Sequence, residues 1–254
     1  MVKLHSFRER IDNSSKYKNS QIVLSLDPSP RADLIGFVRA IITLLEKYIC
    51  AIKINFHLIL PLSISQITGI NNLIHSFELQ SIADIKLNDI ISTNEIAIGY
   101  LLKMGFDAII VNPLIGKNAL QFAVDQAHEQ NAGIIALIYM SHPGAKEGFG
   151  INVIKKAKIN SNNKVTTMYK VFLDYAYTSQ VDGIVVGATQ IDILKEISSQ
   201  KKTPIYSPGF GTQGGDIKQA AKSGTDYFII GSSIIGSKDP LNVVKEIRSQ
   251  TCRI

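Results

Sequence analysis

The sequence predicts a single-domain α/β protein with a (β/α)8 barrel architecture. Its 254 residues suit one large domain. Short runs rich in Val and Ile alternate with longer helical patterns from end to end, and eight such β-then-α units of about 25–30 residues match the repeat of this barrel. A doubly wound open sheet is the alternative, but the eight units and a last helical pattern at 240–250 favour a closed barrel.

The strand candidates are short, apolar and β-branched, as expected for buried parallel strands. Helical patterns lie between them, as at 33–48, 94–105 and 117–130, where apolar residues recur at helical spacing. The strand candidates are IVLSLD (22–27), AIKIN (51–55), SIADIK (81–86), AIIVN (108–112), GIIALIY (133–139), GIVVG (183–187), PIYSPG (204–209) and YFIIG (227–231).

Two segments depart from this repeat. Residues 1–20 are polar and form an N-terminal lead-in, and residues 141–164 form a long connection after the fifth strand. Long loops in compact domains are commonly lids or mobile surface, so we expect a long loop with a short helix at 141–164. No linker or repeat marks a second domain, and the prediction is one barrel domain over 1–254.

Composition excludes several classes of protein. The hydrophobic fraction of 45% with 19% charged residues is that of a globular protein. The net charge of +6 comes from scattered lysines, which favours solvated helix faces over a nucleic-acid site and also suits an anionic substrate. The two cysteines are far apart, which suits a reducing cytoplasm. The N-terminus does not resemble a signal peptide, and no apolar run reaches about 18 residues. We therefore predict a cytoplasmic protein without a membrane span.

Charged residues interrupt the predicted strands near their carboxyl ends, where barrels hold their active sites. Buried charges are costly unless they are paired or take part in chemistry. Two lysines and three acids on three neighbouring strands predict a compensated network in which carboxylates keep each lysine protonated. These residues are Asp27, Lys53, Asp84, Lys86 and Asp89, and Ser141 closes the fifth strand.

Two glycine-rich stretches follow the seventh and eighth strands. GFGTQG at 209–214 fits a dinucleotide fingerprint, but that fingerprint belongs in the first β-α unit of its domain. GSSIIGSK at 231–238 lacks the ending of a P-loop. Both positions instead match the phosphate site that barrels build after strands 7 and 8. The histidines are not spaced like metal ligands, and His142 is expected to shape a His-Pro-Gly turn. We therefore predict no metal site.

With these residues assembled, the chain resembles the orotidine 5′-phosphate decarboxylase family over about residues 20 to 250. The D-x-K-x-x-D-I-x-x-T signature is complete as DIKLNDIIST at 84–93. SLD (25–27), IKIN (52–55), MSHPGA (140–145) and SPGFGTQGGD (207–216) fall where this family has its other contacts. The resemblance implies a (β/α)8 barrel that converts orotidine 5′-monophosphate to UMP and carbon dioxide in pyrimidine synthesis.

The resemblance also implies a role for each residue. Lys86 would protonate C6 of the pyrimidine, Asp84 would crowd the substrate carboxylate, and Lys53 and Asp89 would complete the charged array. In a homodimer, Asp89, Ile90 and Thr93 would reach the partner's site. Asp27 would hold ribose hydroxyls, Ser141 would bind the pyrimidine edge and Gln213 would bridge base and phosphate. The remaining substrate contacts would be Pro208, Gly209, Phe210, Gly211, Thr212, Gly231 and Ser232.

The chemistry supports this assignment and requires no cofactor. Loss of carbon dioxide from C6 leaves a carbanion that the ring cannot delocalise, and most decarboxylases use PLP or thiamine for that purpose. A fixed ammonium group can stabilise the charge and then supply the proton. One departure concerns phosphate binding, because the family carries an arginine where this chain has Ser232.

Two alternatives remain open at this stage. The magnesium-dependent branch of the same superfamily, which includes 3-keto-gulonate 6-phosphate decarboxylase and hexulose phosphate synthase, also carries D-x-K-x-x-D. That branch places a metal-binding Glu where this chain has Lys53, which would repel Mg²⁺. A non-catalytic nucleotide-binding barrel is the other alternative, and only the missing arginine favours it.

Overall fold

The computed structural model describes residues 5–155, 164–200, 202–211 and 213–251. Eight parallel strands close into a barrel in the order β1-β10-β9-β8-β5-β4-β3-β2, and β6 pairs with β7 in a separate antiparallel sheet. The strands are β1 (Ile22–Leu26), β2 (Ala51–Asn55), β3 (Gln80–Leu87), β4 (Ala108–Val111), β5 (Gly133–Tyr139), β6 (Asn152–Lys155), β7 (Lys164–Thr167), β8 (Gly183–Val186), β9 (Ile205–Pro208) and β10 (Tyr227–Ile230).

Helices alternate with the barrel strands and cover the outside of the barrel. No helix in the described ranges is both long and apolar enough to cross a bilayer. The helices are α1 (Phe7–Lys18), α2 (Leu34–Leu45), α3 (Phe56–Ile59), α4 (Ile64–Ser76), α5 (Ile91–Lys103), α6 (Lys117–Glu129), α7 (Met168–Thr178), α8 (Ile191–Ser198), α9 (Ile217–Lys222), α10 (Ser232–Ile235) and α11 (Pro240–Thr251), with 3-10 turns at Pro113–Ile115 and Pro143–Glu147.

The predicted (β/α)8 barrel is confirmed, and the sixth, seventh and eighth predicted strands are β8, β9 and β10. Side chains alternate between two apolar layers because successive strand residues point to opposite faces. On β1, Leu24 packs between barrel and helices, whereas Val23 belongs to the layer inside the barrel. This rigid double layer holds the carboxyl ends of the strands in fixed positions.

The lead-in contains helix α1, which closes the amino-terminal end of the barrel. Ser6 and Glu9 form a capping box that starts the helix. Phe7 and Ile11 are 1% exposed and join the layer inside the barrel. Arg8 donates to the carbonyl oxygens of Val181 and Asp182 just before β8. Helix α1 therefore acts as a plug, which the polar sequence did not predict.

The connection after β5 contains more regular structure than the long loop predicted for 141–164. A 3-10 turn spans Pro143–Glu147, and β6 and β7 form an antiparallel hairpin. The ring of Phe149 lies 5.6 Å from Tyr139, which anchors the hairpin base on the end of β5. The short helix expected in this connection corresponds to the 3-10 turn. The paired strands β6 and β7 were not predicted.

Candidate active site

A cavity of about 290 Å³ opens at the carboxyl ends of the barrel strands. It brings together charged residues from β1, β2 and β3 with the glycine-rich segments that follow β9 and β10. The predicted site residues that line it are Asp27, Lys53, Asp84, Lys86, Ser141, Pro208, Gly209, Phe210, Gln213, Gly231 and Ser232.

The centre of the site is one carboxylate held between two ammonium groups. Asp84 Oδ2 lies 2.7 Å from Lys53 Nζ, and Asp84 Oδ1 lies 2.8 Å from Lys86 Nζ. The side chains of Lys53 and Asp84 are 5% and 8% exposed, whereas that of Lys86 is 38% exposed and faces the cavity. Lys53 also lies 3.9 Å from Asp27 Oδ1. Each charge therefore has a partner, as a buried network requires.

The two lysines keep Asp84 ionised. Burial alone would raise the pKa of this carboxyl group, but the positive charges and hydrogen bonds of Lys53 and Lys86 outweigh burial and lower the pKa below its ordinary value. The site therefore presents a permanent negative charge next to the ammonium group of Lys86.

Strand β3 leaves the regular ladder where these charges occur. Ala83 pairs with Ile109 and Leu87 with Val111, so β3 advances four residues while β4 advances two. The backbone of Lys86 is in the left-handed conformation, with φ +47. Residues other than glycine adopt this conformation rarely. Such conformations concentrate at functional sites. Within this bulge, the ammonium group of Lys86 lies 2.8 Å from Asp84 Oδ1.

The two oxygens of Asp27 are held differently: one accepts a hydrogen bond, and the other is only in ion-pair range of Lys53. Ser25 Oγ donates to Asp27 Oδ2 at 2.6 Å, whereas Asp27 Oδ1 is buried without a hydrogen-bond partner. A Cβ at Gly231 would lie 2.8 Å from the Ser25 carbonyl oxygen and 3.1 Å from Asp27 Oδ2, so this position has no room for a side chain. Asp27 Oδ1 lies 3.9 Å from Lys53 Nζ and can still accept a hydrogen bond from a ligand.

Ser141 and Gln213 meet across the cavity. Ser141 Oγ donates to Gln213 Oε1 at 2.5 Å, and Thr189 Oγ1 donates to the Ser141 carbonyl oxygen at 2.8 Å. Gly209 has φ +102, and a Cβ there would lie 2.5 Å from Cβ of Ser141. Glycine at 209 is therefore required for the loop after β9 to approach the end of β5.

The other predicted residues are placed differently. Asp89, Ile90 and Thr93 lie on the surface at the start of α5, with Ile90 68% exposed. Within the part of the chain that the structure describes, no ion pair joins Asp89 to either lysine, and its Oδ1 accepts from the Ile90 amide at 2.7 Å. Gly211 has φ +74 and packs against Ser233. Thr212 lies outside the described residues.

Several residues of the cavity were not among the predicted ones. Ser25 and Asn55 lie two positions from Asp27 and Lys53, and the alternation of strand side chains could have indicated them. His142 was expected only to shape its turn, yet it lines the cavity. Apolar side chains form the floor of the cavity. A period-two pattern in the sequence does not distinguish such side chains from those of the barrel core. The side chains of the floor are Ile110, Leu137, Met140, Val185 and Ile229.

The site offers little to a metal ion. Across the described ranges, no group of three or more His, Cys, Asp or Glu side chains is arranged to hold a metal ion. Lys53 and Lys86 already neutralise Asp84, so a cation bound to this carboxylate would face two ammonium groups at short range.

The fold and the site define a (β/α)8-barrel enzyme with its charged groups at the carboxyl ends of the strands. Residues 20–247 match the family described as "Orotidine 5'-phosphate decarboxylase / HUMPS family". The chain therefore belongs to this family, whose decarboxylases are carboxy-lyases.

Individual relatives agree with this assignment. The orotidine 5'-phosphate decarboxylase of Pyrococcus abyssi is 32% identical over 204 residues, which cover 80% of this chain and 86% of the relative. The enzyme of the same name from Pyrococcus furiosus is 31% identical over 228 residues, or 89% of this chain and 95% of the relative.

Solved structures show the same fold. The orotidine 5'-monophosphate decarboxylase of Methanocaldococcus jannaschii, complexed with inhibitor BMP, superposes with a TM-score of 0.77 at 28% identity. The match covers 92% of this chain and 99% of that chain. The enzyme of Pyrococcus horikoshii gives a TM-score of 0.71 at 28% identity and covers 92% of this chain and all of that one.

Proposed function

We propose that this chain converts orotidine 5′-monophosphate to UMP and carbon dioxide, the last step of UMP synthesis, without a cofactor. The observation that carries the proposal is the carboxylate of Asp84 between the ammonium groups of Lys53 and Lys86, at 2.7 and 2.8 Å. The arrangement places a proton donor beside a fixed negative charge at the mouth of a barrel. Family membership supports the same reaction.

Lys86 supplies both charge stabilisation and the proton. The bond between C6 and the substrate carboxylate breaks, carbon dioxide leaves, and the electron pair stays on C6. The ammonium group of Lys86 stabilises this carbanion electrostatically and then donates a proton to C6. The resulting neutral amine regains its proton from water. Because Lys86 is the more exposed lysine and faces the cavity, it is the one that reaches the substrate.

Asp84 and Lys53 prepare the site for this step. The negative charge of Asp84 faces the substrate carboxylate, and their repulsion is relieved as carbon dioxide leaves. Lys53 is nearly buried and holds Asp84 from the side opposite Lys86, so it fixes the carboxylate and keeps it ionised. Asp89 adds a second negative charge to the array from the partner subunit.

Nucleotide binding uses the other donors and acceptors around the cavity. Asp27 Oδ1 accepts from ribose hydroxyls, because it is the buried oxygen without a partner. Ser141 binds the pyrimidine edge, and Gln213, which already contacts Ser141, bridges base and phosphate. The phosphate lies against backbone amides of the glycine-rich segments. These segments contribute Pro208, Gly209, Phe210, Gly211, Thr212, Gly231 and Ser232.

The proposal includes a homodimer in which each chain completes the other's site. Asp89, Ile90 and Thr93 are exposed and make no contact with their own cavity. Exposed apolar side chains also occur on α5, on the Pro113–Ile115 turn and on α6, and exposed apolar surface of this kind suits an association site. They are Ile91 (41% exposed), Ile96 (62%), Tyr100 (53%), Leu114 (59%) and Phe122 (37%).

The test is a measurement of UMP formation from orotidine 5′-monophosphate by the purified chain, with and without EDTA. We expect turnover that EDTA leaves unchanged. Loss of turnover in EDTA would assign the chain to the magnesium-dependent branch of the superfamily. Nucleotide binding without turnover would leave a non-catalytic barrel.

A further inference from the structure

Asn94 is a buried polar residue that no part of the proposed mechanism uses. It lies in the first turn of α5 and is 1% exposed. Its Nδ2 donates to the Asp89 carbonyl oxygen at 2.7 Å, and its backbone amide donates to the Ile90 carbonyl oxygen at 3.0 Å. Asn94 therefore binds two consecutive carbonyl groups of the segment that enters the helix.

This segment has little else to hold it. Ile90 is the N-cap residue of α5 and offers no side-chain cap. The Asp89 side chain bonds only to the next amide, and both Asp89 and Ile90 are exposed. A side chain at the start of a helix without a cap moves with its backbone, so the bond from Asn94 sets the direction in which Asp89 points.

The oxygen of the Asn94 side-chain amide provides a second observation. Asn94 Oδ1 is buried without a hydrogen-bond partner. An unpaired buried oxygen is unfavourable, and an apolar side chain of similar volume would avoid it. A residue that only filled space here would not need an amide group, which indicates that the Nδ2 bond to Asp89 is the reason for asparagine.

We infer that Asn94 is a positioning residue for the active site of the partner subunit: it holds the 89–90 segment so that Asp89 enters the neighbouring chain's charged array. The inference rests on the proposed function and on the shared site within it. It assigns Asn94 an effect on a reaction centre that it does not touch and that belongs to the other chain.

The first test is Asn94→Leu, which keeps the volume, removes the donor and removes the unpaired oxygen. We expect a folded dimer whose kcat/KM for decarboxylation falls at least about tenfold. The matched control is Asn71→Leu. Asn71 is also fully buried and donates its Nδ2 to a backbone carbonyl, that of Met104, far from Asp89. This control should lose stability but keep wild-type kcat/KM in its folded fraction.

The second test distinguishes action on the partner's site from action on the chain's own site. Asn94→Leu chains are mixed with Lys86→Ala chains, and subunit exchange is verified by mass spectrometry of tagged chains. In the hybrid dimer, the site with an intact Lys86 receives Asp89 from a chain with an intact Asn94. Random exchange of a twofold dimer should then restore about a quarter of wild-type activity.

A parallel mixture of Asp89→Ala and Lys86→Ala chains tests the shared site by itself. If this mixture recovers activity and the Asn94→Leu mixture does not, the assignment of Asn94 is wrong and the shared site stands. If neither mixture recovers, both are wrong, while UMP formation by the wild type still supports the decarboxylase assignment. Wild-type kcat/KM in Asn94→Leu, or a monomeric Asn94→Leu chain, would also overturn the inference.

Discussion

The two ends of the barrel use charged residues in opposite ways. At the amino-terminal end, carboxylates bind backbone amides of neighbouring strands. Asp107, Asp182 and Asp226 accept from the amides of Ser81, Ile134 and Ile205 at 2.8, 2.9 and 3.0 Å. These bonds tie adjacent strands together and stabilise the barrel.

At the carboxyl end, charged groups line the cavity in which we propose that the nucleotide binds. Asp27 Oδ1 accepts no hydrogen bond, Lys86 has a left-handed backbone, and Asp84 lies between two ammonium groups. The first two features are unfavourable for the folded chain alone, as is common at functional sites. Residues for stability and residues for the proposed chemistry therefore lie at opposite ends of the barrel axis, as the barrel fold permits. Substitutions at the two ends should therefore separate activity from stability.

The largest effect is expected for Lys86→Ala. The substitution removes both the proton donor and the cation facing the carbanion, so kcat/KM should fall at least about a thousandfold, or about 4 kcal/mol in barrier height. UMP binding, measured by calorimetry, should persist because the phosphate and ribose contacts remain. Activity within about tenfold of wild type would contradict the assignment of Lys86 as the acid.

The amino-terminal end should give the reverse result. Phe7→Ala removes a ring that is 1% exposed and lies against Gly133, where a Cβ would be 2.5 Å from the ring. We expect the free energy of unfolding to fall by about 3–5 kcal/mol, measured by urea denaturation, with kcat unchanged in the folded enzyme. Tyr17→Ala on the same helix is the control, since Tyr17 is 73% exposed. An equal loss in both variants would exclude a plugging role for α1.

The same division explains what the sequence could predict. The predicted strands correspond to the observed barrel strands because buried parallel strands are continuous apolar runs. The charged cluster could be predicted because lysine and aspartate are rare in such runs. The plug was missed because Phe7 and Ile11 are the only large apolar side chains that α1 buries, and most of its other residues are polar. The bulge at Lys86 was missed because no glycine or asparagine marks its left-handed backbone. The hairpin was missed because two of its three apolar residues, Ile154 and Val165, are 68% and 64% exposed and form no buried pattern.

A smaller effect is expected at the phosphate end of the cavity. Lys53 and Lys86 are the only lysines among its described lining residues, which include no arginine, and both are paired with Asp84. Ser232→Arg should add a charge-assisted contact to the substrate phosphate and raise kcat/KM about tenfold, with a lower KM. The gain should shrink as salt is added, because screening weakens exposed charge pairs.

A neutral or harmful result for Ser232→Arg at low salt would mean that the phosphate already has a cation. Lys218 and Lys238 are exposed on the segments after β9 and β10 and are the candidates. Lys218→Ala or Lys238→Ala should then raise KM, and the variant that does so identifies the cation.

The smallest effect concerns His128 at the amino-terminal end. Its hydrogen bond to Asp182 raises the pKa of the imidazole above its ordinary value, with burial opposing and the charge of Asp182 adding to the increase. A raised folded-state pKa stabilises the protein fully below the unfolded value of about 6.5, and the contribution is lost as pH rises through the folded value. Because the side chain is 44% exposed, the contribution should stay below about 1 kcal/mol.

The measurement is the free energy of unfolding of wild type and His128→Gln from pH 5.5 to 9. Wild type should be more stable at pH 5.5, and the difference should shrink toward high pH as the imidazole loses its charge. His5→Gln provides the control, since His5 is 64% exposed and lies 3.7 Å from Glu9 on the surface. Asp182 also holds the Ile134 amide, so a difference that stays constant with pH would mean that the neutral imidazole supports Asp182 through its hydrogen bond alone. The amino-terminal end would then be stabilised by hydrogen-bond geometry and not by charge.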